Sequence, residues 1–160
     1  SGMSRVSKLV ITSDSCEILA EGIGNLEGPT TILVHGLGSF TVVFDNLFKD
    51  DQLLSKVRYD MRSHGKSGTP VDQSNYSSPK FTADFMTVIE GFNQQKPYLF
   101  GTVVMDDCTR CPTGYLSGVI YVSALPCIGP IMMDLGEECL ENLQPKLFTR
   151  DDRLGRFQDQ

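Results

Sequence analysis

The sequence T-I-L-V-H-G-L-G, from Thr31 to Gly38, is the stretch that decides the fold. Residues 31–34 are apolar or β-branched, which suits a fully buried strand. The run ends in a turn whose glycines allow the backbone to bend sharply. A buried strand that ends in a glycine turn before an amphipathic segment predicts the start of a strand–helix unit. In open α/β sheets, binding sites form at the carboxyl ends of such strands.

The turn itself, His35, Gly36, Leu37 and Gly38, is the first candidate site. The backbone N–H groups of a tight H-G-x-G turn can point into one small space, where they would stabilise a negatively charged oxygen. The alternative is an ordinary turn from strand to loop, and the tetrapeptide alone does not decide between the two.

Two further stretches carry a family resemblance. Residues 57–68 read V-R-Y-D-M-R-S-H-G-K-S-G and residues 118–126 read G-V-I-Y-V-S-A-L-P. Together with the H-G turn, they resemble the α/β-hydrolase superfamily, in the branch of esterases, epoxide hydrolases and dehalogenases. That family has an H-G turn after its third strand, a Y-D-x-R-x-H-G-x-S loop after its fourth, and a strand similar to the last stretch as its sixth. The resemblance covers roughly residues 8–130. It implies hydrolysis of esters, epoxides or carbon–halogen bonds in small, mostly apolar molecules.

The order of the predicted elements indicates the same α/β class. Strands alternate with helices after an initial hairpin, which predicts a mostly parallel, twisted sheet of about six strands with helices on both faces. The predicted elements are a hairpin of residues 8–11 and 16–20, a strand over 31–34, a helix over 40–54, a strand over 56–59, a helix capped by Ser78 and ended by Lys96-Pro97, a strand over 98–101, a short helix over 102–111 and a strand over 116–125. Residues 1–7 are interpreted as a tag remnant and N-terminal tail, and residues 8–130 as the α/β-hydrolase-like core. Residues 131–160 are interpreted as a C-terminal helical segment, either the start of a cap-like region or a frayed tail.

The nucleophile that the resemblance implies is missing from its expected place. Active members carry G-x-S-x-G on a sharp turn after the fifth strand. Here Gly101 is followed by Thr102-Val103-Val104-Met105, so that Val103 occupies the place of the serine. Valine suits a positive-φ turn poorly and carries no nucleophile. The alternative, which we favour, is that the turn itself has been lost and Thr102 begins the helix directly. Thr102 is a weak candidate for a substitute nucleophile, and a helix cap is its simpler role.

The acid and the base of a catalytic triad are not identifiable either. The chain has two histidines; the resemblance implies that His35 shapes the oxyanion turn and that His64 is structural. Asp60 is a loop-shaping residue in most members, and it stays, with His64, a weak catalytic candidate. Ser123 lies where some relatives carry the acid. Gly101 and Ser123 join the H-G-L-G turn as residues of a candidate ligand pocket.

The sequence therefore predicts a shortened relative without its own catalytic triad, which binds a small apolar ligand or a partner. The alternative is an active hydrolase of small esters or epoxides that uses an unconventional nucleophile or is completed by another chain. An unrelated flavodoxin-like binding domain would require the three matched stretches to be coincidental, and it would want a Gly-rich phosphate loop that the sequence lacks.

The composition of the chain limits which kinds of partner and cofactor we expect. The chain has 160 residues, a net charge of −6 and no basic stripe, so we expect no nucleic-acid partner. It has no apolar run of about 18 residues, so we expect no membrane span. Five irregularly spaced cysteines favour reduced thiols in a cytoplasmic protein. The C-x-x-C pair of Cys108 and Cys111 lacks two further ligands at a suitable spacing, so we expect neither a metal site nor a cofactor.

The strand predicted over Leu116 to Leu125 is long, β-branched and apolar. In the family the sixth strand lies between the fifth and the seventh, and this chain has no seventh. Such a strand would form an exposed edge, which invites pairing with another chain. We therefore expect a homo-oligomer through this strand, unless residues 131–148 fold back over it.

Overall fold

The computed structural model describes residues 4–36, 38–50, 52, 55–101 and 111–122. These residues form one six-stranded sheet with short and long helices packed against it. The strands are β1 (Arg5–Ile11), β2 (Glu17–Ile23), β3 (Thr30–Val34), β4 (Ser55–Tyr59), β5 (Tyr98–Gly101) and β6 (Gly118–Tyr121). The helices are α1 (Asp45–Lys49) and α2 (Ser78–Gly91), together with two 3-10 turns at Thr41–Phe44 and Gln73–Tyr76.

The strand order across the sheet is β1-β2-β4-β3-β5-β6. The hairpin of β1 and β2 is antiparallel, and β2 also runs antiparallel to β4. The remaining neighbours are parallel, so β3 lies at the centre between β4 and β5, and β6 follows β5. This confirms the predicted α/β class with a mostly parallel sheet, and it places the T-I-L-V strand at the centre of the sheet.

The two faces of β3 contact two separate apolar clusters. Ile32 and Val34 are fully buried in the larger cluster, which α2 covers with Phe85 and Val88. Leu33 points the other way, into a smaller cluster formed with two phenylalanines, Phe44 and Phe48. Burial on both faces explains why this strand is apolar at every position from Ile32 to Val34 rather than alternating.

The predicted helix over residues 40–54 is wrong in extent. The structure has a 3-10 turn over Thr41–Phe44 and then the five-residue helix α1. Residues 51, 53 and 54 lie outside the described ones. The β-branched Val42 and Val43 are half exposed rather than packed on the sheet, and β-branched residues disfavour a continuous helix. Among the described residues of this segment, Phe44 and Phe48 are buried in the core and Leu47 packs against them.

The boundaries of α2 also differ from the prediction. Ser77, not Ser78, is the N-cap, and its side chain makes no capping hydrogen bond. The helix ends at Gly91, before Lys96-Pro97. Asn93 and Lys96 both have positive φ, at 53° and 47°, so the chain leaves the helical path in this connection to β5.

Within the described residues, the last strand is shorter than predicted. Within the predicted 116–125, the structure describes a strand only over Gly118–Tyr121, and Ile120 and Tyr121 remain 49% and 42% exposed. β6 is the outermost strand of the described sheet, so no strand among the described residues pairs with its outer side. Oligomerisation through this strand stays a prediction.

Several predicted segments lie outside the described residues. These are residues 102–110 of the short helix predicted over 102–111, the end of the last strand at 123–125, and the segment 131–160. The predicted domain boundaries therefore stay a prediction. Among the residues that the structure describes, no helix is both long enough and apolar enough to cross a membrane.

Candidate functional site

The candidate site lies where β3 and β4 end side by side. These strands are parallel, with Val34 opposite Tyr59, so the segments that follow them leave the sheet at the same edge. We call residues 35–38 the HG turn and residues 60–68 the β4 loop. Gly101, the last residue of β5, lies opposite Val34 on the other side of β3. The three carboxyl ends therefore bring the predicted site residues of these segments to one edge, as expected for an open α/β sheet.

His35 joins the HG turn to the β4 loop. Its side chain is fully buried, and its Nε2 accepts a hydrogen bond of 3.0 Å from the backbone N–H of Met61. Its Nδ1 lies 2.9 Å from the carbonyl oxygen of Gly36, to which it donates when Nε2 is the acceptor. Burial lowers the pKa of His35 below its ordinary value, so the neutral ring is favoured.

His64 makes the reciprocal connection from the β4 loop to the HG turn. Its Nε2 accepts a hydrogen bond of 3.1 Å from the Gly38 N–H, and its Nδ1 lies 2.9 Å from the carbonyl oxygen of Arg62. The centroids of the two histidine rings are 5.1 Å apart. The Gly38 N–H was one of the candidate oxyanion donors in the sequence, and in this structure His64 already accepts its hydrogen bond.

Asp60 organises the loop rather than facing open space. One carboxylate oxygen accepts a hydrogen bond of 2.9 Å from the Thr41 N–H, and the other accepts one of 3.0 Å from the Lys66 N–H. Gly65 lies against it with a φ of +52°, and a Cβ at Gly65 would come within 2.2 Å of Asp60 Oδ2. The side chain of Ser67 completes the loop by donating to the Asp60 carbonyl oxygen and accepting from the Leu19 N–H.

A buried charged cluster beneath the β4 loop was not predicted. The Arg62 side chain is completely buried and makes a bidentate contact with Asp84 of α2, at 2.7 and 2.6 Å. It also donates to Asp14 and, at 2.6 Å, to the carbonyl oxygen of Asn75. Contact with these carboxylates raises the pKa of Arg62 above its already high ordinary value. Burial raises the pKa of the Asp84 carboxyl, although the Arg62 guanidinium opposes that shift.

The sequence does contain a signal for this cluster. Asp84 lies three residues after Phe81 and four before Val88, which places a carboxylate on the apolar face of the helix. A carboxylate on such a face requires a buried cationic partner. What the sequence alone does not show is that the partner is Arg62, 22 residues earlier.

Three predicted site residues, Leu37, Thr102 and Ser123, lie outside the described residues. Among the residues described, no group of histidine, cysteine, aspartate and glutamate side chains could hold a metal ion. Within the part of the chain that the structure describes, neither Cys16 nor Cys111 forms a disulfide.

An open cleft of about 340 Å³ lies at the opposite edge of the sheet. Its lining includes Pro29, which precedes β3, and Tyr98, which begins β5. It is therefore at the amino ends of the parallel strands and is not part of the candidate site.

Comparisons with known proteins support the assignment of the fold. The sequence is 35% identical over 97 residues to probable oxidoreductase EphD of Mycobacterium bovis and Mycobacterium tuberculosis. This alignment covers 58% of this chain and 16% of EphD. The structure superposes on an assigned aryl esterase from Burkholderia cenocepacia with a TM-score of 0.73 and 24% identity, covering 79% of this chain and 49% of that one. It superposes on epoxide hydrolase VrEH1 from Vigna radiata with a TM-score of 0.67 and 16% identity, covering 81% and 41%. No family model matches the chain.

The chain has the α/β-hydrolase fold, which confirms the resemblance that its motifs predicted. It spans about half the length of the solved structures and about a sixth of EphD.

Proposed function

We propose that this 160-residue chain does not catalyse hydrolysis by itself and that its HG turn and neighbouring apolar side chains bind a small apolar molecule. The observation that carries the proposal is the bonding of the two histidines. Both nitrogens of each ring lie within hydrogen-bond distance of a backbone group, His35 with Gly36 and Met61, His64 with Arg62 and Gly38. A general base needs a free nitrogen directed at the proton that it removes.

The binding part of the proposal is supported by exposed apolar side chains beside the HG turn. Phe40, Val42 and Val43 are 49%, 50% and 56% exposed, and they lie within the five residues that follow Gly38. We call these three residues the apolar rim. Apolar side chains near a few polar backbone groups are typical of small-molecule sites.

The alternative is an active hydrolase of small esters or epoxides, completed by an unconventional nucleophile or by another chain. The glycine turn after β3 and the esterase and epoxide hydrolase folds among the structural neighbours favour it. In that case the base must come from residues other than the two histidines, or one of them must exchange its backbone hydrogen bond for a substrate.

One ester distinguishes the two functions. The short-chain ester p-nitrophenyl butyrate is added to the ¹⁵N-labelled chain, and p-nitrophenol release and amide chemical shifts are recorded together. In a parallel assay, the consumption of styrene oxide is measured. We expect saturable shifts at residues 38–43 and no release above buffer.

The matched control is Val43→Asp, which places a charge on the apolar rim at a half-exposed position and should abolish the shifts while preserving the fold. Release of p-nitrophenol or loss of epoxide that scales with protein concentration contradicts the proposal. Absence of shifts at the HG turn and apolar rim contradicts the binding part.

A further inference from the structure

The HG turn and the β4 loop are joined by two hydrogen bonds of the same unusual kind. In each, the Nε2 atom of a histidine accepts from a backbone N–H of the opposite segment: His35 from Met61, and His64 from Gly38. We call these two side chains, with their two backbone donors, the histidine latch. The rings are also in contact, with centroids 5.1 Å apart and planes inclined by 58°.

Protonation is incompatible with these bonds. A neutral imidazole has one donor and one acceptor nitrogen, whereas an imidazolium has two donors and no acceptor. The proton would be placed on Nε2, 3.1 Å from the Gly38 nitrogen or 3.0 Å from the Met61 nitrogen. Two N–H groups would then face each other, so one must move away.

We propose that the histidine latch is a proton-sensitive switch, in which protonation of His64 releases the HG turn from the β4 loop and frees the Gly38 N–H. In the latched state His64 occupies a donor that the turn could otherwise offer to a negatively charged oxygen of a ligand. The latch is thus an autoinhibitory contact on the HG turn. Only the consequence for a ligand depends on the proposed function; the switch itself does not.

The two rings differ in their exposure to solvent. His35 is fully buried, whereas His64 is partly exposed, so solvent reaches the His64 ring without opening of the core. Among the described residues, the charged or titratable groups that act on His35 are His64 and Asp60. Lys66 lies on the same loop as Asp60, and the Arg62 guanidinium is directed away to Asp84. The His64 ring, whose centroid lies 5.1 Å away, also lowers the pKa of His35.

The test is the amide protection of the two backbone donors in the full ¹⁵N-labelled chain, without any ligand. Protection factors, corrected for intrinsic exchange, are measured for Gly38 and Met61 at about pH 7.5 and about pH 5.5, on either side of the ordinary histidine range. The Hε1 resonance of His64 reports its protonation over the same range. We expect protection of the Gly38 amide to fall about fivefold at the lower pH, as for the loss of one ordinary hydrogen bond.

The matched variant is His64→Gln, whose side-chain oxygen can accept from the Gly38 N–H without titrating. We expect it to retain protection at Gly38 at both pH values, and we expect His64→Ala to lose protection at both. His64 is partly exposed, so neither variant depends on repacking the core.

Three results overturn the proposal. They are unchanged protection of Gly38 while the His64 ring titrates, a His64 ring that stays neutral to the lower pH, and the same pH response in His64→Gln as in the wild type. Because no substrate or apolar ligand is present, failure here is distinct from failure of the proposed function.

Discussion

Replacing Asp84 with alanine leaves the buried guanidinium of Arg62 without its bidentate partner. The side chains of Arg62 and Asp84 are 0% and 1% exposed, so water cannot take the place of the lost carboxylate. Breaking a buried ion pair by removing one partner costs about 3–5 kcal/mol. Arg62 keeps its contacts with Asp14 and with the carbonyl oxygen of Asn75, so we expect a loss at the lower end of that range.

The assay is urea unfolding followed by far-ultraviolet circular dichroism, since the chain contains no tryptophan. With a denaturant slope of about 2 kcal/mol per molar, the midpoint should fall by about 1.5 M. The control is Lys49→Ala, which breaks the pair between Lys49 and Asp45, whose side chains are 69% and 37% exposed. It should cost no more than about 0.5 kcal/mol.

A double replacement tests the reasoning itself. Arg62→Met with Asp84→Leu removes both charges and fills the space with apolar atoms, so it should recover most of the stability that Asp84→Ala loses. The reasoning is refuted if Asp84→Ala unfolds within about 1 kcal/mol of the wild type, or if the double variant is less stable than the single one.

Three further outcomes are expected, each read from the same urea transitions. Gly65→Ala should lower the free energy of unfolding by about 3 kcal/mol, because its Cβ would lie 2.2 Å from Asp60 Oδ2 at a φ of +52°. The control Gly114→Ala should lower it by about 1 kcal/mol, since Gly114 has a φ of +77° but no atom within 4 Å of its Cβ position. Equal losses in the two variants would contradict the steric argument. Because burial lowers the pKa of His35, the native state binds fewer protons than the unfolded chain in acid. The contribution of His35 to the free energy of unfolding is therefore fully present above the unfolded pKa of 6.5. It is lost by up to about 1.4 kcal/mol per pH unit as the pH falls through the folded pKa. His35→Gln should make the free energy of unfolding less dependent on pH in this range. An unchanged slope in the variant would contradict the assigned contribution of His35. Arg58→Met should cost about 2 kcal/mol, since this guanidinium bonds two carboxylates and lies 4.2 Å from a phenylalanine ring centroid, and Arg58→Lys should recover only part of the loss.

The centre of the fold could be predicted from the sequence because its signals are local. The run from Thr31 to Val34 is apolar or β-branched at consecutive positions, and glycines mark the turn that follows it. The hairpin of β1 and β2 was predicted with strands that are shorter than the observed ones, because its residues at the ends are polar or half-buried. These features depend on neighbouring residues, which a sequence shows directly.

The parts that were missed depend on contacts between distant residues. Arg62 is 48 residues from Asp14 and 22 from Asp84, and nothing in the spacing of these residues pairs them. The limited extent of α1 depends on how few of its side chains reach the sheet. The two hydrogen bonds of the histidine latch link segments 26 residues apart, so the sequence identified both histidines but not their partners.

The most direct test of the central claim is the intact mass of the chain after incubation with a fluorophosphonate probe, which forms a covalent adduct with activated serine or threonine side chains. If the chain has no catalytic machinery of its own, its mass remains unchanged, while an active esterase treated in parallel gains one adduct. A stoichiometric adduct on this chain would contradict the claim, and peptide mapping would then identify the residue that replaces the missing serine, with Thr102 as the first residue to inspect.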